Sequence, residues 1–177
     1  MSRSKRNAAL ALLLASCAML PASSGRAQAP TTPSPQEVTV VAVMTNAETG
    51  SPVVVLQGKR DGRTFAMAIG PAEAVGIALP LAHRTPPRPL THDLVTTMLG
   101  RLGASVSRAV ITDFRDDIFY ATLHLRTGAA EQVLDARPSD AIALALRAQA
   151  PVLVEERVLE RAEILPPAPA APGGPRI

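Results

Sequence analysis

The sequence predicts an α+β fold, a single domain built from two similar β-β-β-α units with a mostly antiparallel sheet against Ala-rich helices. The first observation behind this is a repeat. A shift of 67 positions lays Ile69–Leu79 on Ala136–Leu146, so that Pro71 meets Pro138, Glu73 meets Asp140 and Ala78-Leu79 meets Ala145-Leu146. The same shift puts Phe65–Ile69 on Gln132–Ala136, in strand register. The second is that strand-like runs come in threes before each Pro-initiated helix. The third is size: Pro-rich ends leave a body of about 130 residues, enough for one hydrophobic core.

Val38, Val40, Ala42 and Met44 alternate as one strand expects, and Pro52–Gln57 is a solid apolar run typical of a buried strand. Lys59-Arg60-Asp61-Gly62 turns the chain into a third strand, Phe65–Ile69. Gly70-Pro71 opens a helix through Leu79, with Glu73 in its first turn. A rigid segment around Pro86-Pro87-Arg88-Pro89 follows. Thr91 then reads as the N-cap of a connecting helix, with Leu90 and Val95 at staple positions. Its apolar stripe is Leu94, Val95, Met98, Leu99 and Leu102, and Gly103 ends it. Ser105–Phe114 and Phe119–Arg126 form a hairpin about Arg115-Asp116-Asp117, Gln132–Ala136 adds a short strand, and Pro138–Gln149 is the second Ala-rich helix. Val152–Val154 is a brief buried strand before a last helix at Glu155–Glu163.

Outside this body, residues 1–29 read as a secretory signal: Arg3, Lys5 and Arg6, then the apolar run Ala8–Leu20, then small residues to Ala29. The apolar run is too short to span a bilayer. Ala27-Gln28-Ala29 offers a cleavage site, and cutting after Ala27 keeps Pro30 away from the scissile bond. A rival reading takes Leu14-Ala15-Ser16-Cys17 as a lipobox, with Cys17 as a lipid anchor. The expectation is therefore an exported protein, periplasmic or secreted, or else a lipoprotein, with no transmembrane segment after leader removal. Residues 30–36 form a Pro-rich linker, 37–165 the folded domain, and 166–177 a Pro-rich disordered tail. The net charge of +3 belongs to the leader. Without the four basic residues of the first 26 positions, fourteen basic face fifteen acidic residues, so no global field favours nucleic acid. A single Cys excludes both an intramolecular disulfide and a multi-cysteine zinc framework.

Two polar clusters stand out: Arg88-Pro89-Leu90-Thr91-His92-Asp93 and Asp135-Ala136-Arg137-Pro138-Ser139-Asp140. Each opens a helix, where free N–H groups favour an anion. Arg88 and Arg137 suit a phosphate, with Ser139 beside them as a further binding group. His92 suits acid–base work, while Asp93, Asp135, Asp140 and Glu73 could orient water or hold a divalent cation such as Mg or Mn. Blander roles compete. Asp140, Glu73, Asp93, Thr91 and Ser139 all occupy capping positions, Arg137 could pair with Asp135, and Arg88 could be merely solvated. The reading favours capping for Glu73 and Ser139 and function for His92 and Arg137, and takes His83 and His124 as exposed bystanders. No His-based zinc spacing, G-x-S-x-G elbow, P-loop or G-x-G-x-x-G is present.

Arg88–Leu94 and Asp135–Ala145 resemble the two signature stretches of the bifunctional nuclease domain family, and Ile69–Ala74 and Asp113…Phe119-Tyr120-Ala121 resemble its other blocks. The likeness runs from about Val38 to Ala162. It implies an α+β domain, often a homo-oligomer, in a family named for plant members that degrade DNA and RNA. In that reading Arg88, Arg137 and Ser139 bind the substrate, His92 is the acid–base group, and Asp93, Asp135 and Asp140 position water or a metal. The chain departs from the usual intracellular domain in its export signal and Pro-rich tail. A second reading remains beside it, a non-catalytic oligomeric binding module whose polar clusters are caps and interface ion pairs. The shortage of aromatic rings for base stacking favours that one.

Overall fold

Among the described residues, eight strands form one sheet in the order β6-β5-β4-β7-β1-β2-β3-β8, and four helices pack with it. The computed structural model describes residues 34–165. The proposed leader, Cys17 and the Pro-rich tail lie outside them. The strands are β1 (Gln36–Thr45), β2 (Pro52–Gly58), β3 (Thr64–Ala68), β4 (Ala104–Arg115), β5 (Ile118–Thr127), β6 (Ala130–Ala136), β7 (Val152–Val154) and β8 (Ile164–Leu165). The helices are α1 (Pro71–Leu81), α2 (Thr91–Arg101), α3 (Pro138–Ala148) and α4 (Glu156–Arg161).

The duplication is visible in the topology. β1-β2-β3 and β4-β5-β6 are antiparallel meanders running outward from the centre of the sheet, each followed by a Pro-initiated helix. β7 lies between the two halves, antiparallel to β1 and parallel to β4, the one parallel pairing in a mostly antiparallel sheet. The fold is α+β.

The core joins Val54, Leu56, Phe65 and Met67 of the first half to Ala109, Ile111, Ala121 and Leu123 of the second. Ala141–Ala145 of α3 is buried throughout, and its small side chains let α3 pack closely on α1 and the sheet. β6 is an edge strand with little cover, so Val133 and Leu134 are exposed. The β4–β5 hairpin turns at Asp116 and Asp117, both at positive φ, as a two-residue loop matching the sheet twist requires.

Three local expectations change. Gln36, placed in the linker by sequence, begins β1, and its buried amide donates to Asp61 in the β2–β3 turn at 2.9 Å. Leu90 rather than Thr91 is the N-cap of α2, because the Asp93 carboxylate reaches back to the Leu90 N–H at 2.7 Å. The apolar stripe of α2 also splits. Val95 and Leu99 pack on the core, whereas Leu94, Met98 and Leu102, four residues apart, form an exposed row.

Candidate active site

α1 and α3 begin side by side, and α2 brings His92 against them. The closeness depends on Gly76 in the middle of α1. A Cβ there would lie 2.9 Å from Cε1 and 3.0 Å from Nδ1 of His92, and 4.0 Å from the Ala143 methyl. The 67-residue shift pairs Gly76 with Ala143. The first repeat thus lacks the methyl that the second has, and the imidazole occupies the space.

His92 Nε2 lies 3.1 Å from Asp140 Oδ1. Burial would raise the Asp140 carboxyl, but hydrogen bonds from Arg137 and His92 outweigh it and hold the group below its ordinary value. An ionised carboxylate only accepts, so Nε2 carries a proton, and in the neutral ring Nδ1 is then the nitrogen with the lone pair. Arg137 binds the same carboxylate twice, through Nε to Oδ2 at 2.7 Å and Nη2 to Oδ1 at 3.1 Å. Its Nη2 also reaches Glu73 Oε1 at 3.0 Å. A guanidinium has five N–H donors, so these contacts leave the pair on Nη1, and the side chain is 65% exposed. Neither α1 nor α3 has a side-chain cap, which leaves their first-turn N–H groups available beside Arg137. His92, Arg137, Asp140 and Glu73 line one cleft of about 410 Å³.

The two polar clusters therefore meet, though not with every partner expected. The carboxylate on the imidazole is Asp140, not Asp93 or Asp135. Asp93 is committed elsewhere: it accepts from Leu90 N and from Arg147 Nε at 2.6 Å. Asp135 is exposed and registered with Thr122, so it lies on the sheet face opposite the core residues Ala121, Leu123 and Leu125. It does not pair with Arg137, whose partners are Glu73 and Asp140. Arg88 is exposed and does not line the cleft. Glu73, read as a cap, instead tethers Arg137. Ser139 is buried and sits at the start of α3. Among those residues no group of three His, Cys, Asp or Glu side chains is arranged to hold a cation.

Sequence reasoning missed Gly76 and Arg147. Arg147 is buried, and its Nη1 donates to the carbonyls of Gly76 and Ala143 at 2.6 and 2.9 Å. The signal for Gly76 was its mismatch with Ala143 in the repeat. His124 is also no bystander. Its side chain is largely buried on the outer face, with Nε2 3.2 Å from Thr122 Oγ1 and Nδ1 lacking a hydrogen bond, 3.6 Å from Glu131.

With this geometry in place, comparison with known proteins decides the family. The profile of the bifunctional nuclease domain matches residues 54–166. The chain belongs to the bifunctional nuclease domain family. It is 39% identical over 131 residues to an uncharacterized protein of Mycobacterium tuberculosis, covering 74% of this chain and 78% of that one. Bifunctional nuclease 1 of Oryza sativa subsp. japonica is 37% identical over 75 residues, 41% of this chain and 23% of the plant protein. Bifunctional nuclease 1 of Arabidopsis thaliana is 33% identical over 97 residues, 49% and 30% of the two chains. In this bifunctional nuclease domain the α1–α3 start, the α2 imidazole and Arg137 lie inside the matched region. No helix among the described residues is long and apolar enough to cross a membrane.

Two predictions follow from the local geometry. Gly76→Ala presses a methyl into the imidazole and covers Nδ1. Activity measured on any cleaved substrate should fall at least about tenfold, because small displacements of an acid–base group are costly, while the protein still folds. Unchanged activity would show that Nδ1 is not used. The second concerns acid. Asp61 is held at about 2, chiefly by its hydrogen bond from Arg63, with Gln36 adding to it, and Asp93 and Asp140 also lie below their ordinary value. Groups depressed in the folded state contribute stability above their unfolded pKa of about 3.9 and lose it as pH falls towards the folded value. Urea midpoints should therefore be level from about pH 7 to 5 and drop steeply between about 4 and 2. A flat profile across that lower window contradicts the assignment.

Proposed function

We propose that this protein is a nuclease that hydrolyses phosphodiester bonds in DNA or RNA, with His92 as general base and Arg137 as the phosphate contact. The observation that carries the reading is the His92–Asp140–Arg137 arrangement: one carboxylate orients both the base and the cation at the mouth of a single cleft. A scissile phosphate on Arg137 Nη1 and the uncapped helix starts would lie beside Nδ1. Nδ1 takes a proton from water as the water oxygen bonds to phosphorus. The P–O bond to the leaving sugar then breaks, and that oxygen takes a proton from solvent. Asp140 holds the tautomer and stabilises the imidazolium, as buried carboxylates do for catalytic histidines.

The match to plant proteins named bifunctional nucleases supports this reading, although it spans less than a third of each. Asp93 belongs to the structural reading, since both its oxygens serve α2 and Arg147. Export with removal of the leader, and self-association, complete the proposal. Intact mass of protein recovered from cells tests the first, with a diacyl mass on Cys17 selecting the lipoprotein form. Light scattering tests the second. The deciding experiment is digestion of single-stranded DNA and RNA by the mature chain, with and without EDTA, beside His92→Ala. Cleavage lost in the variant supports the assignment, and equal cleavage overturns it. Loss with EDTA alone would add a cation to the site.

A further inference from the structure

A second cleft, about 440 Å³, opens on the other side of the Arg137–Glu73 pair, which both clefts share. We infer that this cleft receives an unpaired nucleobase, and that the protein therefore selects single-stranded nucleic acid whose phosphate lies on Arg137. The identity of the anion rests on the nuclease reading; the case for a base rests on the cleft itself.

The three phenylalanines of the chain form a single stack. Phe65 and Phe119 lie 6.1 Å apart at 27°, and Phe119 and Phe114 lie 4.3 Å apart at 29°. Phe65 is fully buried, while Phe119 and Phe114 line the second cleft. An aromatic content of 2% argued against base binding, yet the fold gathers those rings at one place beside the candidate phosphate contact. Phe119 lies between the other two rings, so Phe114 at the end of the stack is the ring left to meet a base, and a flat aromatic face accepts any of the bases. The cleft also holds a polar group. Ser139 is only 8% exposed and lines the cleft, and its hydroxyl is not a buried orphan but stays open to what enters there. A hydroxyl that faces the cleft can donate to or accept from a ligand atom there. Asp117 at the rim offers an acceptor for an exocyclic amine, and Ile118 gives an exposed apolar lip. The volume falls within the range of small-ligand clefts, about 300–1,000 Å³. An apolar peptide side chain would leave Ser139, Asp117 and the guanidinium unanswered. A base stacked in a duplex cannot enter such a cleft without being flipped out, which makes the unpaired strand the preferred substrate.

The test uses the full chain carrying His92→Ala, so that a bound strand is not consumed. Its probes are a labelled single-stranded DNA tetranucleotide, the same tetranucleotide with abasic sugars, and a short duplex. The base-bearing single strand should bind at least roughly fivefold more tightly than the abasic strand and more tightly than the duplex. Phe114→Leu keeps apolar volume without the ring, and Ser139→Ala removes only the hydroxyl. Each should erase most of the difference and leave abasic affinity unchanged, with melting followed to confirm folding. Equal affinity for base-bearing and abasic strands overturns the inference. So does a difference that survives both variants, or a dimer that Ile118→Asp dissociates, since the cleft would then be an interface. Selective binding without cleavage by the wild-type chain would remove the hydrolytic reading and keep this subsite. Cleavage with no base dependence would do the reverse.

Discussion

His92→Ala should lower cleavage by about 100- to 10,000-fold, the usual contribution of a positioned acid–base group, and leave the melting temperature nearly unchanged. The second half follows from the packing. His92 makes one side-chain hydrogen bond, to Asp140, which keeps two from Arg137 after the change. The space left beside Gly76 opens into the cleft and can fill with water. Asp140→Asn separates tautomer control from charge. An amide can present N–H as well as C=O to Nε2, so the proton is free to sit on Nδ1 and remove the base. It also weakens the hold on Arg137, so this variant should lose at least as much activity as Arg137→Ala. A His92→Ala protein that cleaves normally, or one that is mostly unfolded at 25 °C, would return the cluster to a purely structural role.

The site was legible wherever function coincided with the repeat. Pro71 with Pro138 and Glu73 with Asp140 mark matching helix starts, and identical starts on neighbouring helices must place their third residues near each other. Arg137 then bridges those two acids, an outcome the alignment of Glu73 with Asp140 contained but capping rules concealed. The choice among carboxylates was not legible. Asp93 and Asp140 each sit at the third residue of a helix. Only the angle at which α2 meets α1 and α3 decides that Asp93 faces Arg147 while the residue before it faces Asp140. Asp135 lies away from the cleft for a simpler reason, since strand alternation puts it on the far face and only its register at the end of β6 fixes its parity. The aromatic stack was hidden by number. Three rings 49 and 5 positions apart look sparse in sequence, and pairing of β4 with β5 alone brings Phe114 beside Phe119.

Arg147→Met should be strongly destabilising, lowering the unfolding free energy by about 3 kcal/mol and the melting temperature by roughly 10 °C. The guanidinium is 8% exposed and closes three contacts from the end of α3: Asp93 at the start of α2, the Gly76 carbonyl inside α1, and the Ala143 carbonyl of its own helix. Met preserves the apolar stem but strands the Gly76 carbonyl and the Asp93 oxygen. The loss stays below that of a fully buried pair because Asp93 keeps the Leu90 N–H and some access to water. Activity should fall further than the folded fraction explains. Asp93 immediately follows His92, so releasing the first turn of α2 loosens the imidazole from Asp140 and from the gap at Gly76. Arg147→Lys cannot replace the fork, since one ammonium cannot match its three contacts in that planar geometry. Asp93→Asn keeps only one acceptor oxygen where Leu90 N–H and Arg147 Nε now use one each, so one donor loses its partner and the change should cost about 1–3 kcal/mol. A double-mutant cycle on 93 and 147 measures the coupling by urea unfolding. Coupling near zero, or an Arg147→Met protein that melts with the wild type, would show that α2 is held by its apolar residues Val95 and Leu99 and that the imidazole is aimed without this clamp.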